Sequence, residues 1–302
     1  SHSIENIKQK LDELVDLGYS RQDVIKMAKT FPSLLSFSME NIKQKLDDLA
    51  KLGYSRQDVI KMTKLLPSLF GLIIENIKQK LNDLVDLGYG RQDVIKMTKS
   101  LPSLFGLSME NIKQKLDGLA KLGYSREDVL KITKTSPVLF SHSIENIKQK
   151  QANLVKLGYS RGDVIKMTKS LPALFGLSME NIKQKLDDLA KLGYSREDVI
   201  KMTKSLPALF GYSIENVRKK IDFYRKIRIA NVFINDPTKL MQSVELSYAR
   251  YYYFYDKGIM IDESNYRKLF YSNKHFEQQF GVSKDYLLEK YPCEENKRNK
   301  SL

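Results

Sequence analysis

A single period constrains this chain more than any other feature. Gly18, Gly53, Gly88, Gly123, Gly158 and Gly193 stand 35 residues apart, and so do Pro32, Pro67, Pro102, Pro137, Pro172 and Pro207. A fixed period of this length marks a solenoid, in which each unit buries its apolar face against its neighbours. Six units run from Ser3 to Tyr212. A second alternation lies on the first: Ile4, Met39, Ile74, Met109, Ile144 and Met179 alternate, as do Val15, Ala50, Val85, Ala120, Val155 and Ala190. The array therefore reads as duplication of a two-repeat block. Identity between repeats reflects that ancestry, so invariance within the array is no guide to function.

Each repeat reads as two helices and a tight connector. In the first, Ser3 is placed to cap helix A, and Ile4, Ile7, Leu11, Leu14 and Val15 form a stripe at helical spacing. Gly18 supplies a left-handed stop. Ser20 caps a shorter helix B, with Asp23 as a capping-box partner; Val24, Met27, Ala28 and Phe31 face inward, and Pro32 ends the helix. The segment Pro-Ser-Leu-Leu-Ser-Phe is too short for another full helix and predicts a 3₁₀ turn. From residue 213 the pattern decays. The expected architecture is an all-α superhelical solenoid of six repeats over 1–212, a degenerate repeat and helical cap over 213–293, and a frayed tail over 294–302.

The chain has no initiator Met and opens with SHSIENIKQK, which recurs from Ser141 to Lys150. It is expected to begin inside a longer array, with any targeting segment upstream. No apolar run approaches the roughly 18 residues of a membrane-spanning helix. One cysteine, Cys293, excludes an internal disulfide framework. His2, His142 and His275 lie far apart and show no metal-ligand spacing. There is no Gly-rich phosphate loop, no G-x-S-x-G and no Cys/His pair. Neither an enzyme nor a cofactor is expected.

The charge is more telling. The formal net charge is +15, which points to a polyanionic partner. Split by element, helix B carries +10 over the six repeats, helix A sums to zero, and the region from 213 carries +5. On a helical wheel Lys26 and Lys29 point away from the apolar side of helix B. The candidate phosphate-binding ladder is therefore Lys26, Lys29, Lys61, Lys64, Lys96, Lys99, Lys131, Lys134, Lys166, Lys169, Lys201 and Lys204, accompanied by Arg21, Arg56, Arg91, Arg126, Arg161 and Arg196. On helix A, Lys8 and Lys10 flank the apolar stripe, and with Glu5, Asp12 and Asp16 they read as surface pairs worth little.

Packed helices lie about 8 to 10 Å apart, while base pairs rise about 3.4 Å. A straight array would pass roughly three base pairs per repeat, so a one-base code would need strong compression. Of the variable positions, only Gln22/Gln57/Gln92/Glu127/Gly162/Glu197 and Thr30/Leu65/Ser100/Thr135/Ser170/Ser205 fall near the ladder. The run Tyr248, Tyr251, Tyr252, Tyr253, Phe254 and Tyr255 reads either as core of the cap or as a stacking platform for bases.

The recurring pattern L-x-x-L-G-Y-S-R-x-D-V-I-K-M-x-K-x-x-P-x-L-F, as in Leu49 to Phe70, resembles the repeat of the mitochondrial transcription termination factor (mTERF) family. The resemblance covers Ser3 to about residue 225, and Phe276-Glu-Gln-Gln-Phe-Gly-Val-Ser-Lys more weakly. It implies a non-enzymatic α-solenoid, acting as a monomer in an organelle matrix, that binds nucleic acid along a basic groove. It further implies the basic positions of helix B and the edges of helix A as backbone contacts, in DNA more than RNA, with a role in transcription regulation or termination. Here the groove is richer in Lys than in Arg, which favours backbone attraction over base reading. A protein-binding solenoid scaffold is the competing class.

Overall fold

A computed structural model describes residues 4–293 of the chain. The predicted cap Ser3 and the predicted tail 294–302 lie outside the described residues. Among the described residues there are seventeen α-helices and no strand. The helices of type A are α1 (Ile4–Asp16), α3 (Met39–Lys51), α5 (Ile74–Asp86), α7 (Met109–Lys121), α9 (Ile144–Lys156) and α11 (Met179–Ala190). Those of type B are α2 (Arg21–Thr30), α4 (Arg56–Leu65), α6 (Arg91–Ser100), α8 (Arg126–Thr135), α10 (Arg161–Ser170) and α12 (Arg196–Ser205). Each pair is closed by the expected 3₁₀ turn, the first spanning Pro32–Ser36. The chain is a helical-repeat solenoid.

Local chemistry sets these boundaries. Ser20, Ser55, Ser160 and Ser195 cap helix B with the full reciprocal box, the Ser hydroxyl accepting from the Asp amide and the Asp carboxylate accepting from the Ser amide. Ser38, Ser108 and Ser178 cap helix A, while Ile73 stands exposed in that place with no side-chain cap. Gly88 ends α5 with φ +108, and a Cβ there would lie 3.2 Å from Leu130 Cδ1. Backbone and space both require glycine.

Two compact units divide the chain, Ser1–Gln149 and Lys150–Leu302. In the first, the core runs from Leu14 to Phe140. Helices B stack on one another, α4 on α6 and α6 on α8, as do the A helices α3 and α5. Leu14, Val24 and Met27 are buried as the stripes predict, with Leu34 of the 3₁₀ turn beside them, but Val15 is exposed at 37%. It sits one residue past Leu14 on the rim of the stripe, which explains why the position tolerates the Val/Ala alternation.

In the second unit one core extends from Leu154 to Leu287, so the sixth repeat and the region beyond 212 share it. That region keeps the repeat plan in shortened form. Helix α13 (Ile214–Lys226) is a type A helix, capped by Ser213. Arg228 follows at φ 62, in the register of the array's glycines. Helix α14 (Val232–Asn235) is a vestigial type B helix, followed by a 3₁₀ turn at Pro237–Met241. Then α15 (Val244–Asp256) opens an eighth type A position, with Gly258 at φ 71 and a 3₁₀ turn at Tyr266–Phe270. Helices α16 (Asn273–Phe280) and α17 (Lys284–Lys290) close the unit.

Two polar devices lock the repeats. The first joins neighbours through a buried Tyr–Thr hydrogen bond between hydroxyls, at 2.7 Å for Tyr19 and Thr63, 2.7 Å for Tyr54 and Thr98, and 2.6 Å for Tyr89 and Thr133. Tyr159 and Thr203 repeat it at 2.6 Å in the second unit. These threonines are fully buried, and each also donates to its own helix, as Thr63 does to the Val59 carbonyl at 2.8 Å. At the end of the array no threonine remains, and the Tyr194 hydroxyl donates to the Ala230 carbonyl at 2.9 Å.

The second device lies within a repeat. The Lys45, Lys80 and Lys115 ammonium groups donate to the carbonyls of Leu72, Leu107 and His142, each the residue that closes the 3₁₀ turn. Lys10 donates likewise to Phe37 and, at 2.9 Å, to Leu35. Lys150 and Lys185 reach Leu177 and Tyr212. Sequence reading placed Lys10 among solvated surface pairs and, by resemblance, among backbone contacts. The structure corrects the first: this lysine turns inward to the carbonyls at the turn, and partial burial there lowers the pKa of Lys10, Lys45, Lys80 and Lys115.

The Tyr–Thr bond makes the fold sensitive to alkali. Burial pushes the Tyr54, Tyr89, Tyr159 and Tyr194 hydroxyls up to about 12, against about 10 in an unfolded chain. A raised folded-state value means stability fully present below about pH 10 and lost as pH rises through 12. The staple lysines shift the opposite way but are partly solvated, so the tyrosines dominate. Helical circular dichroism is expected to hold to about pH 10 and then collapse together with a steep rise in phenolate absorbance. Smooth tyrosine titration with intact helix would contradict this account.

Candidate nucleic-acid interface

The ladder predicted on helix B resolves into three groups with different surroundings. On four of the type B helices the second lysine meets the aspartate in the first turn of the preceding repeat's helix B. Lys64 reaches Asp23 at 2.8 Å, Lys99 reaches Asp58 at 2.9 Å and Lys134 reaches Asp93 at 3.0 Å. In the second unit Lys204 lies 3.9 Å from Asp163. The lysine hydrogen bond, with that of the capping Ser, holds the Asp23 and Asp58 carboxyls below the usual carboxylate range. These lysines have their charge matched within the protein. Lys29 is exposed on α2, and Lys169 is half-buried on α10.

The arginines form a second group, at the corner where helix B begins. Arg21 and Arg56 lie 3.8 Å from Asp12 and Asp47, and Arg196 lies 2.8 Å from Asp187. Arg91 donates to Asn82 at 3.0 Å and Arg126 to the Leu87 carbonyl at 3.4 Å. Arg161 is exposed and has Ala152 where Arg21, Arg56, Arg91 and Arg196 find an acid or amide. All these contacts are solvated, so each is worth at most about 1 kcal/mol.

The third group is the first lysine of helix B. Lys26, Lys61, Lys96 and Lys131 in one unit, and Lys166 in the other, are exposed and have no ion-pair partner among the described residues. They share one register position, opposite the buried Val and Met, or Ile132 on α8, of the same helix. Lys201, the last of the row, donates to Asn235 Oδ1 at 2.5 Å. Beside them the variable hydroxyls are satisfied locally: Thr30 and Thr135 donate to the carbonyls of Lys26 and Lys131 at 3.1 and 2.8 Å.

The aromatic run also divides. Tyr253 and Phe254 are core, as one of the two sequence readings holds. Tyr248, Tyr251 and Tyr252 are half-buried, and Tyr255 is exposed. Among the described residues no cluster of His, Cys, Asp and Glu could hold a metal ion. No described helix is long and apolar enough to cross a membrane.

Sequence reasoning missed the Tyr–Thr bond, the lysine staple and the pairing of Lys64 with Asp23. A signal for the first was present. Every repeat carries the tyrosine, but the first repeat has Ala28 where the others have Thr. A tyrosine bonded to the threonine of the following repeat leaves the first repeat without need of one.

No curated protein matches the chain. The profile of the mTERF family matches residues 1–121 and 110–277, a span that takes in all six repeats and the two shortened units beyond them. Two helices and a 3₁₀ turn per repeat, with Leu-Gly and Pro-x-Leu landmarks and basic residues concentrated on the second helix, agree with that match along the same span, and the chain belongs to the mTERF family.

Proposed function

We propose that this chain is a non-enzymatic protein that binds double-stranded DNA through phosphate contacts and acts in the regulation or termination of transcription. Membership of the mTERF family suggests nucleic-acid binding by a helical-repeat protein. The observation that carries the finer reading is the row of unpaired first lysines, Lys26, Lys61, Lys96, Lys131 and Lys166, on a chain of net charge +15. A lysine paired with an aspartate must leave that pair before it can neutralise a phosphate, whereas an unpaired one displaces the cation condensed on the phosphate directly. The ammonium is a compact point charge without the fork that reads guanine, so the row grips backbone rather than sequence.

Five contacts correspond to a slope of about −4.5 in log K against log salt, and arginines leaving their weak surface pairs would steepen it. Fluorescence anisotropy of a labelled random duplex, titrated across salt, is expected to give a slope between about −4 and −9. A slope shallower than about −2 would overturn the reading. Duplex RNA as competitor separates the polymers, since its A-form geometry spaces phosphates differently. Equal or stronger competition by RNA would move the assignment from DNA to RNA.

A further inference from the structure

Helix α15 carries a second aromatic face on the side away from its fully buried residues. In the array the outward face of helix A is polar, as in Lys43, Gln44 and Asp47. On α15 the buried side is supplied by Leu246, Ala249, Tyr253 and Phe254. The opposite side carries Tyr248, Tyr251, Tyr252 and Tyr255, spaced so that all four share one stripe. Tyr255 is 64% exposed. In the register of α3, Tyr248 and Tyr252 take the places of Lys43 and Asp47, and both rings stay only half-buried. Such a stripe calls for a ligand.

Between this stripe and α13 lies a groove of about 430 Å³, a volume in the range of small-ligand sites. Its aromatic wall is Phe223, Tyr248 and Tyr252, and its basic rim is Arg218, Lys219 and Lys226 on α13. The rings are arranged edge to face or tilted: Tyr248 to Tyr252 at 4.5 Å, Phe223 to Tyr248 at 5.8 Å, and Tyr251 to Tyr252 at 5.3 Å. Two carboxylates also line the groove, and both are engaged, Glu215 by Arg218 at 3.5 Å and Asp222 by Arg225 at 3.2 Å. Aromatic faces beside cations suit a group that is flat and apolar at one end and anionic at the other. A nucleotide of an unpaired strand is such a group.

We infer that the α13–α15 groove binds a single-stranded nucleic acid segment, the base stacking on the Tyr248 and Tyr252 rings and the phosphate facing Arg218, Lys219 and Lys226. The site lies on type A helices and is independent of the lysine row on type B helices. It goes beyond the duplex reading and does not rest on it. A base presented there is unpaired, because the edge of a stacked duplex offers no face to a ring in a groove. Stacking is tolerant of base identity, so the site selects strand state rather than sequence.

The test compares an oligothymidine carrying one 2-aminopurine with a random duplex. The full chain is expected to quench 2-aminopurine fluorescence on binding. The variant Tyr248→Ala/Tyr252→Ala should weaken single-strand affinity about 10-fold or more, while duplex affinity stays within about twofold. Lys61→Ala/Lys96→Ala should do the reverse. A Tyr252→Leu variant keeps the apolar contact without the π-face, and is expected to fold normally and still lose quenching. Cys293, the chain's one cysteine, also lines the groove, so bound strand should slow its alkylation by maleimide. Single-strand affinity unchanged in the double Tyr variant would overturn the proposal. So would equal competition by an abasic strand or by an acidic peptide, either of which would make the groove a site for anions or proteins. Duplex binding that failed while single-strand quenching persisted would instead refute the function proposed for the lysine row.

Discussion

Replacing Lys26, Lys61, Lys96, Lys131 and Lys166 together by Ala is expected to weaken duplex binding by about 100-fold or more at low salt and to flatten the salt slope by about 4.5. All five are exposed, so little packing is lost and the thermal midpoint should hold. The informative control is the other row. Lys64, Lys99, Lys134 and Lys204 each face an aspartate of the neighbouring repeat. Their replacement should change the slope by less than about 2, while leaving Asp23, Asp58, Asp93 and Asp163 without their cation and lowering stability by about 1 kcal/mol in total. The two quadruple-or-larger variants carry similar formal charge changes, so net charge alone predicts similar losses. A similar loss of affinity in both would show that the field of the whole chain, not the first-lysine row, attracts the polymer.

Arg250→Met is expected to destabilise the second unit by about 2 kcal/mol. Arg250 is fully buried and occupies, in the eighth type A helix, the register of the staple lysines. Its guanidinium donates to the carbonyls of Leu269 and Tyr271 at 2.9 and 2.6 Å and to Asn273 Oδ1 at 3.0 Å, and it lies 4.5 Å from the Phe276 ring. Burial lowers its pKa to about 10, the sign that desolvation is only partly offset. Methionine fills similar volume and removes that desolvation cost, which works in its favour. It also leaves the Tyr271 carbonyl without its donor, at about 1 to 3 kcal/mol, and loses the ring contact, while the Leu269 carbonyl keeps the Gln242 amide at 2.8 Å. The lost donor outweighs the relief of desolvation. Denaturant unfolding of the full chain should show the midpoint of the second unit falling, and Arg250→Lys, which cannot reach all three acceptors, should fall between. A loss below about 1 kcal/mol would mean that water replaces the arginine at the turn.

Much of the fold was legible because its determinants are local. Serine caps, the glycine after Leu17 and the proline after Phe31 each act within a few residues, and all do so as the repeat pattern predicts. What escaped was set between repeats. A helical wheel sends Lys26 and Lys29 outward alike, because it holds no information on which neighbour lies beside each. Only the packing of α4 on its neighbours brings Lys64 to Asp23 and leaves Lys61 in water. Lys10 looked solvated for the same reason, since its partner carbonyl lies about 27 residues on, across the repeat. The eighth type A helix was hidden by substitution: Arg250 and Gly258 keep the register, but five of the residues between them are aromatic. The aromatic run supported two readings because the helix divides it, Tyr253 and Phe254 turning inward as core while Tyr248 and Tyr252 line the groove.

The hydroxyl bond of Tyr54 to Thr98 and the ion pair of Asp58 with Lys99 both run from one repeat to the next. Each such repeat thus carries a hook on one side and the matching eye on the other. A block copied into the middle of the array brings one of each, and no buried hydroxyl or carboxylate is stranded at either seam. Gene-level duplication of such a unit is structurally silent, so the number of repeats, and with it the length of polymer that can be covered, is free to change in single events without redesign of the joints.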